Sequence, residues 1–215
     1  MARFRPGQHA LLATALALPF AASAVVLDFN DSASFTQDYG DIPGLLDISH
    51  GYESGGATNP LSWWAGGYDE LVGVAWGAQP APGTVARLTL AALDPSRPLE
   101  LRSFQLGSWE GTGDGRIETV TVTRIGEASP AFTFTGVIGA GNLANTFALG
   151  ITSASGVVIA WTNPWWTAID NVDVHLAGAV PEPGAALLMG PGLLAFAGVA
   201  WRRRRTVPQA GGGAA

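Results

Sequence analysis

The sequence predicts an all-β protein built as an antiparallel β-sandwich. Between the two chain ends, no segment shows the 3.6-residue apolar periodicity of an amphipathic helix. Short runs rich in β-branched and aromatic residues recur instead, separated by Gly, Pro, Asn and Asp. The candidate strands are residues 25–29, 71–76, 84–92, 99–106, 117–125, 131–137, 157–161 and 172–176.

Several of these runs alternate apolar with polar side chains, as a strand does when one face of its sheet is buried. Half-buried antiparallel sheets of this kind pack face to face. The side chains that alternation assigns to the core are Ala86, Leu88, Leu90, Ala92, Val120, Val122, Val172, Val174 and Leu176. With about eight to ten strands, the expected architecture is jelly-roll-like.

Three local features complete the fold prediction. The apolar parity changes within residues 99–106, which predicts a β-bulge near Arg102 and Ser103. Residues 111–115 read Gly-Thr-Gly-Asp-Gly and predict a hairpin loop between two strands. Residues 32–65 are rich in glycine and polar side chains and are expected to form long loops.

The charge distribution excludes nucleic acid as a partner. Between Val25 and Glu182 the chain has 5 arginines, no lysine and all 17 of its acidic residues, a balance of 5 − 17 = −12. A body of that charge repels phosphate, whereas nucleic-acid binding needs clustered cations. The chain also lacks cysteine, so neither a disulfide nor a thiol nucleophile is available.

Catalytic constellations are weak in this sequence. Ser54 has the wrong spacing for a Gly-x-Ser-x-Gly elbow. His50 and His175 are the histidines of the body, too few for a His-rich zinc site or a convincing triad. Paired carboxylates can hydrolyse glycosides, but the acids of the body form no close-spaced set borne on strands. The acids expected to be solvated on loops are Glu53, Asp69, Glu70, Glu110 and Asp114.

Tryptophans give a stronger functional signal. Flat indole rings stack on sugar faces, and neighbouring strand residues face opposite ways, so an adjacent pair cannot lie wholly in a core. The candidate glycan-binding residues are two such pairs: Trp63, Trp64, Trp165 and Trp166. In the alternative, one member of each pair plugs the sandwich and the other caps its edge. Trp76 and Trp161 end apolar runs and are expected in the core. Position predicts that one of the first pair is exposed on a loop and one of the second is buried against the final strand.

The N-terminus has the pattern of an export signal. Arg3 and Arg5 precede an apolar stretch over residues 10–20, and residues 22–24 (Ala-Ser-Ala) supply the small side chains that signal peptidase requires. The stretch is too short to span a bilayer, and strand-like sequence follows at once. We therefore expect a signal peptide over residues 1–24, the alternative being a buried N-terminal helix.

The C-terminal region combines three features in a fixed order. Pro181, Glu182 and Pro183 come first, and the prolines keep this segment extended. Residues 185–201 follow without a charge, at the short limit of about 17–25 residues for a spanning helix. A core or amphipathic helix is the alternative, although it would not explain the cations that follow. The cations that predict stop-transfer, with a cytoplasmic tail, are Arg202, Arg203, Arg204 and Arg205.

This order of features resembles the PEP-CTERM sorting signal of Gram-negative bacteria. The resemblance covers residues 179–205 and implies processing by an exosortase, an integral-membrane cysteine enzyme, in species that make exopolysaccharide and biofilm. It further implies anchorage in the inner membrane before processing, and a cell-surface or extracellular-matrix location afterwards. Residues 206–215 depart from the family pattern, in which the chain often stops sooner, and are expected to be a disordered tail.

A shorter resemblance concerns the two ends of the body. Residues 169–172 (Ile-Asp-Asn-Val) look like the last strand of many PEP-CTERM ectodomains and of carbohydrate-binding jelly rolls, and residues 26–29 (Val-Leu-Asp-Phe) look like their first strand. The resemblance implies that the two strands pair and that a structural calcium lies near their junction, with Asp28 and Asp170 among its oxygen ligands. The alternative is that Asp170 and Asn171 merely bend the strand.

The sequence therefore predicts a β-sandwich ectodomain over residues 25–178, between a signal peptide and a sorting signal. We expect a non-enzymatic surface or extracellular-matrix protein that binds exopolysaccharide and is associated with biofilm. Two alternatives stay open: an exported polysaccharide-active hydrolase and a purely structural envelope protein.

Overall fold

A computed structural model describes residues 23–31, 35–109 and 115–177 of the chain. These residues contain strands and turns but no helix, and so none long and apolar enough to cross a bilayer. Most of the predicted signal peptide, the predicted sorting signal and the predicted tail lie outside them. The strands are β1 Ser23–Leu27, β2 Leu46–Ser54, β3 Ala57–Asn59, β4 Ser62–Trp64, β5 Val74–Trp76, β6 Val85–Ala92, β7 Leu99–Ser108, β8 Arg116–Arg124, β9 Phe132–Ile138, β10 Asn145–Ser153, β11 Gly156–Thr162 and β12 Thr167–Leu176.

The strands form two antiparallel sheets of six strands each, as the all-β prediction requires. The first sheet has the order β10-β7-β12-β5-β4, and β1 also pairs with β12. The second sheet has the order β3-β2-β6-β11-β8-β9. Within the first sheet β1 pairs with Val172–Leu176, whereas β5 pairs with Ile169, so β1 and β5 share one edge of β12. The jelly-roll-like connectivity stays a prediction.

The core lies between the two sheets, and alternation predicted its members correctly. Eight of the nine side chains assigned to it are buried, and Ala92 is partly buried against them. Trp161 is fully buried as predicted, and its indole Nε1 donates to the carbonyl oxygen of Thr167 at 2.9 Å. Burying each Val, Leu or Phe side chain contributes about 1.5–3 kcal/mol to the free energy of unfolding. The alternating faces therefore supply the main stabilisation of the sandwich.

The β-bulge predicted near Arg102 and Ser103 is confirmed. On β12, Asp173 pairs with Ser103 and the next residue pairs with Leu101, so Arg102 is the extra residue of β7. Arg102 is exposed, while Leu101 and Phe104 on either side of the bulge are both fully buried. The extra residue thus explains why the apolar parity changes in this strand.

Two predictions about connecting segments were wrong. Residues 32–65 contain three strands, β2, β3 and β4, rather than only long loops. The hairpin predicted between β7 and β8 does not form, because these strands belong to different sheets, and residues 110–114 between them lie outside the described residues. β10 was also missed. Its side chains alternate in burial along the whole strand, but Asn145 and Ser153 occupy two of its five inward positions and dilute the apolar signal.

Candidate functional site

A second, smaller apolar cluster covers the outer face of the first sheet. Its buried members are Tyr68, Leu71, Val74 and Ala168, and Trp76, Trp109 and Ala144 pack against them. Val74 and Trp76 project from β5 on the side opposite Ala75, which belongs to the main core. Because successive side chains of a strand alternate between faces, this cluster lies away from the interior of the sandwich.

Gly107 makes this outer cluster possible. A Cβ placed on Gly107 would lie 2.5 Å from the carbonyl oxygen of Tyr68 and 2.9 Å from Cδ1 of Leu71. The missing side chain therefore lets the segment between β4 and β5 lie directly on β7. The Tyr68 hydroxyl then donates to the carbonyl oxygen of Trp165 at 2.7 Å, and burial raises the pKa of Tyr68 well above its usual range. Tyr68 thus joins the β4–β5 connection to the β11–β12 connection.

Above this cluster, aromatic residues line an open pocket of about 300 Å³, which we call the aromatic basin. The ring centroids of Trp76 and Trp165 are 4.8 Å apart, and those of Trp64 and Trp109 are 5.8 Å apart. Trp64 is 44 % exposed. The residues lining the aromatic basin are Trp64, Tyr68, Trp76, Trp109, Trp165 and Trp166.

A polar pocket of about 290 Å³ adjoins the aromatic basin, and we call it the Arg116 pocket. Trp165 and Trp166 line both pockets. The guanidinium carbon of Arg116 lies 3.9 Å from the ring centroid of Trp166, which is a cation–π contact. Asn163 and Thr84 also line the Arg116 pocket. An aromatic surface therefore continues directly into a surface of hydrogen-bonding groups.

The turn that carries Trp165 and Trp166 is held by Asn163 and a buried carboxylate. Asn163 has a positive φ of 49°, and its carbonyl oxygen accepts the amide of Trp166 at 2.9 Å. Its side-chain amide donates to Glu118 at 2.9 Å, and the hydroxyl of Thr162 donates to the same oxygen at 2.5 Å. Burial raises the pKa of Glu118, while these hydrogen bonds oppose the rise. Glu118 thereby holds the turn at Asn163 in place, from the buried side of the turn.

The structure brings together three of the four predicted tryptophans. Trp64, Trp165 and Trp166 line the aromatic basin, although Trp64 lies on β4 and not on a loop. Trp165 and Trp166 are both half-buried, so the prediction that one of them is buried against the final strand was wrong. Trp63 does not join them, because it faces the other side of β4, packs against the main core and donates its Nε1 proton to the carbonyl oxygen of Phe29 at 2.6 Å.

Sequence reasoning missed the other half of the aromatic basin. Trp76 was expected in the core but lines the basin, and its buried Nε1 has no hydrogen-bond partner within the described residues. Tyr68 and Trp109 were not singled out at all. Trp76 sits two residues after Val74 on the same face of β5, and that face looks apolar because the segment between β4 and β5 covers it. The tertiary fold shows that this outer face of β5, and not the face toward the main core, carries the aromatic basin.

The loop acids have structural partners where the structure describes them. Glu53 lies on β2 and not on a loop, where its exposed side chain forms an ion pair with Arg87 at 3.6 Å. The exposed Glu70 accepts the amide of Ala144 at 2.7 Å. Asp69 is buried and accepts the amide of Ser108 at 2.7 Å, so the expectation that it is solvated was wrong. Residues 110 and 114 lie outside the described residues.

Asp28 and Asp170 come together at the end of β1, where the first and last strands pair as predicted. Asp170 is buried, and loss of solvation raises its pKa to about 7, with a smaller contribution from the charge of Asp28. Its oxygens take both N–H groups of Asn171, from the backbone at 2.7 Å and from the side chain at 3.2 Å. Asp28 accepts the hydroxyl of Tyr39 at 3.3 Å.

These carboxylates by themselves do not form a closed calcium site. Calcium takes about six to eight oxygen ligands. No group of three or more His, Asp or Glu side chains that could hold a metal ion occurs within residues 23–31, 35–109 and 115–177. Asp28 and Asp170 are the pair that the resemblance indicated, and the calcium itself stays a prediction.

The fold and the site together define an antiparallel β-sandwich with an aromatic basin on the outer face of one sheet. No protein-family model matches the chain, and no curated protein sequence matches it significantly. Among solved structures, the chain is similar to the family 32 CBM from C. perfringens NanJ in complex with galactose, at 14% identity and a TM-score of 0.29. That match covers 73% of this chain and 92% of that chain. A superposition at this TM-score defines neither a fold nor a ligand, so the conclusions below rest on the residues of this chain.

Proposed function

We propose that the protein is a non-enzymatic binding protein of the cell exterior and that the aromatic basin holds a polysaccharide. The observation that carries the proposal is the convergence of five indoles and one phenol on a single open pocket. Trp64 is exposed and the other four indoles are half-buried, so the pocket presents a concave aromatic surface to solvent, as interaction sites do. Large, concave and mostly aromatic pockets with a few polar groups are the usual form of ligand sites.

The chemistry next to the aromatic basin favours sugar over a purely apolar ligand. A sugar ring has apolar C–H faces and a rim of hydroxyl groups. The aromatic basin matches the faces, and the adjoining Arg116 pocket supplies the guanidinium of Arg116. Asn163 and Thr84 also line this pocket, but their side chains already donate to Glu118 and to the carbonyl oxygen of Ala81. An aliphatic chain would leave the half-buried guanidinium of Arg116 without a hydrogen-bond acceptor, at a cost in binding free energy. The rim of hydroxyls is therefore the feature that selects a carbohydrate.

Replacing Trp165 with alanine should weaken binding of the recognised polysaccharide about thirtyfold or more, because a central aromatic anchor contributes about 2 kcal/mol or more. Trp165 lines both pockets and contacts Trp76, so its loss opens the centre of the surface. The measurement is a glycan array followed by titration of the retained polysaccharide, with and without calcium.

Val72→Ala is the matched control for this experiment. Val72 is 67 % exposed and does not line the aromatic basin, so its truncation should leave the affinity unchanged. Retention of no polysaccharide by the wild-type protein would contradict the proposed function. So would a Trp165→Ala variant that binds as tightly as the wild type.

We further propose, on the sequence pattern alone, that the chain is exported and then sorted through its C-terminal region. Signal peptidase would act after Ala24, inside β1, and leave three of the five residues of that strand. The apolar helix over residues 185–201 would hold the protein in the inner membrane until an exosortase processes it. The released form would then reach the cell surface or the extracellular matrix.

Replacing Pro181, Glu182 and Pro183 with alanines should leave the protein exported but unprocessed. Without the prolines, the helix can extend into the segment that the exosortase must grip, while the hydrophobic anchor persists. Mass analysis of the membrane and surface fractions checks this result in hosts with and without an exosortase. Neutral replacements of the four arginines are the comparison, because they should weaken stop-transfer instead. Unchanged processing of the alanine variant would refute the sorting proposal.

A further inference from the structure

Arg116 differs from the other arginines of the body. Arg87, Arg102 and Arg124 pair with glutamates, and Arg97 donates to the carbonyl oxygen of Ala177. Arg116 forms no ion pair or hydrogen bond with the described residues, and its buried Nε has no partner there. Its guanidinium lies over the face of the Trp166 ring, and its charge also acts on the nearby carboxyl of Glu118. A half-buried cation with unused N–H groups is an anion-binding group.

The Arg116 pocket contains no carboxylate in its described lining. The polar groups that line it belong to Gln79, Thr84, Arg116 and Asn163, and its remaining walls are prolines, Ala81 and the two indoles. Glu118 lies behind the pocket, where Thr162 and Asn163 engage its side chain. The described lining of this pocket therefore contains one cation and no anion, although the charge of Arg116 also acts on Glu118 behind it.

We propose that the Arg116 pocket is a subsite for an acidic sugar residue, a uronate, whose carboxylate pairs with the guanidinium of Arg116 while its ring packs against Trp165 or Trp166. The inference rests on the proposed function, because the aromatic basin supplies the neighbouring sugar subsites. A guanidinium presents a planar fork of N–H groups that matches a carboxylate in two parallel hydrogen bonds. Packing its face on an indole leaves that fork available at the edge.

The acidic body opposes a polyanion only at long range. At about 0.15 M salt the Debye length is about 8 Å, so charges elsewhere on the body are largely screened from the pocket. The carboxylate in contact with Arg116 is screened much less, because the contact is partly desolvated. The uronate should therefore bind at physiological salt, and its affinity should depend on this one contact.

The test compares polygalacturonate with its fully methyl-esterified form, which has the same ring and lacks the charge. At about 0.15 M salt, titration of the wild-type protein should show about tenfold tighter binding of the acid form, as expected for a charge-assisted pair. Arg116→Gln should remove this preference, so that acid and ester bind with equal affinity, because glutamine keeps a hydrogen-bonding side chain and loses the charge. Arg87→Gln is the matched control, because Arg87 already pairs with Glu53, and it should keep the preference.

Several results would contradict the uronate subsite without contradicting polysaccharide binding by the aromatic basin. Equal affinity for acid and ester would show that the protein does not recognise the carboxylate. A preference for the acid that persists in Arg116→Gln would show that Arg116 does not bind it. Competition by free acetate at the concentrations at which galacturonate competes would indicate a general anion site and not a sugar subsite. If Trp165→Ala abolished binding of a neutral polysaccharide while neither galacturonate form bound, the uronate subsite alone would be wrong. Failure of every polysaccharide to bind would remove the proposed function itself.

Discussion

Replacing Trp64 with alanine should abolish polysaccharide binding and leave the stability almost unchanged, whereas replacing its neighbour Trp63 should do the reverse. Trp64 is 44 % exposed, and its ring lies 5.8 Å from the rings of both Trp76 and Trp109 on the outer face of the first sheet. Trp63 points to the inner face, where it packs against the main core and donates to the carbonyl oxygen of Phe29. The two side chains therefore divide binding and stability between them.

The expected magnitudes separate the two variants clearly. Truncating a fully buried tryptophan costs about 3–5 kcal/mol of unfolding free energy. Trp63 is half-buried against the main core, so Trp63→Ala should cost about the lower end of this range and lower the denaturant midpoint. Trp64→Ala should cost less than about 1 kcal/mol, as expected for a surface change. Denaturant midpoints and glycan titrations on the same samples measure both effects. Strong destabilisation by Trp64→Ala with unchanged binding would contradict the assignment of the two faces of β4.

Alternation predicted the parts of the fold whose strands have one clean apolar face. The central strands of the second sheet were predicted because their apolar side chains are buried at every second position, as for Leu88, Leu90, Val120 and Val122. β2 was missed although it obeys the same rule. Its inward residues are Leu46, Ile48, His50 and Tyr52, and two of these carry polar atoms, so the apolar signal is diluted. His50 is buried because its Nε2 lies 2.9 Å from the carbonyl oxygen of Thr36, a partner that no periodicity can reveal.

The candidate site was harder to predict, because adjacency in sequence says little about which sheet face a side chain shares. The argument that paired tryptophans must split between faces was correct for Trp63 and Trp64. It could not show that Trp76 and Trp109 share the face of Trp64, since this depends on strand pairing and on a segment that crosses β7. Gly107 was the one sequence feature that could have indicated that another segment covers the outer face of β7. A glycine in the middle of an apolar strand often marks a close approach of another backbone.

Replacing Asp170 with asparagine should stabilise the protein at about pH 8 and should have much less effect near pH 4.5, with a change between the two on the order of 2–4 kcal/mol. Burial raises the pKa of Asp170 to about 7 from an unperturbed 3.8. Between these values the folded state binds the proton and the unfolded state does not. The stability contributed by this group is therefore present at low pH and is lost as the pH rises through the folded pKa.

Other groups contribute to the pH dependence of the wild-type protein, so the difference between variants is the informative quantity. Burial also raises the pKa of Glu118, which acts in the same direction as Asp170. Burial lowers the pKa of His50, so that group favours the folded state as the pH rises toward the ordinary histidine pKa. Asparagine at position 170 keeps a carbonyl oxygen for the backbone amide of Asn171. Its NH2 group replaces the second oxygen, which accepts the side-chain amide of Asn171, and the loss of that hydrogen bond shifts the stability by the same amount at every pH. Subtracting the two pH profiles therefore isolates Asp170.

Denaturant midpoints across this pH range, in the presence of a chelator, measure the difference. Asp47→Asn is the matched control, because Asp47 is exposed on β2 and should follow the wild-type profile at every pH. Repeating the series in millimolar calcium tests the metal prediction, since an ion held by Asp28 and Asp170 would favour the ionised carboxylates and cancel the advantage of the asparagine variant near pH 8. The difference in unfolding free energy between Asp170→Asn and the wild type should therefore change with pH in chelator. A difference that stays constant would contradict a buried carboxylate with a raised pKa at the junction of β1 and β12.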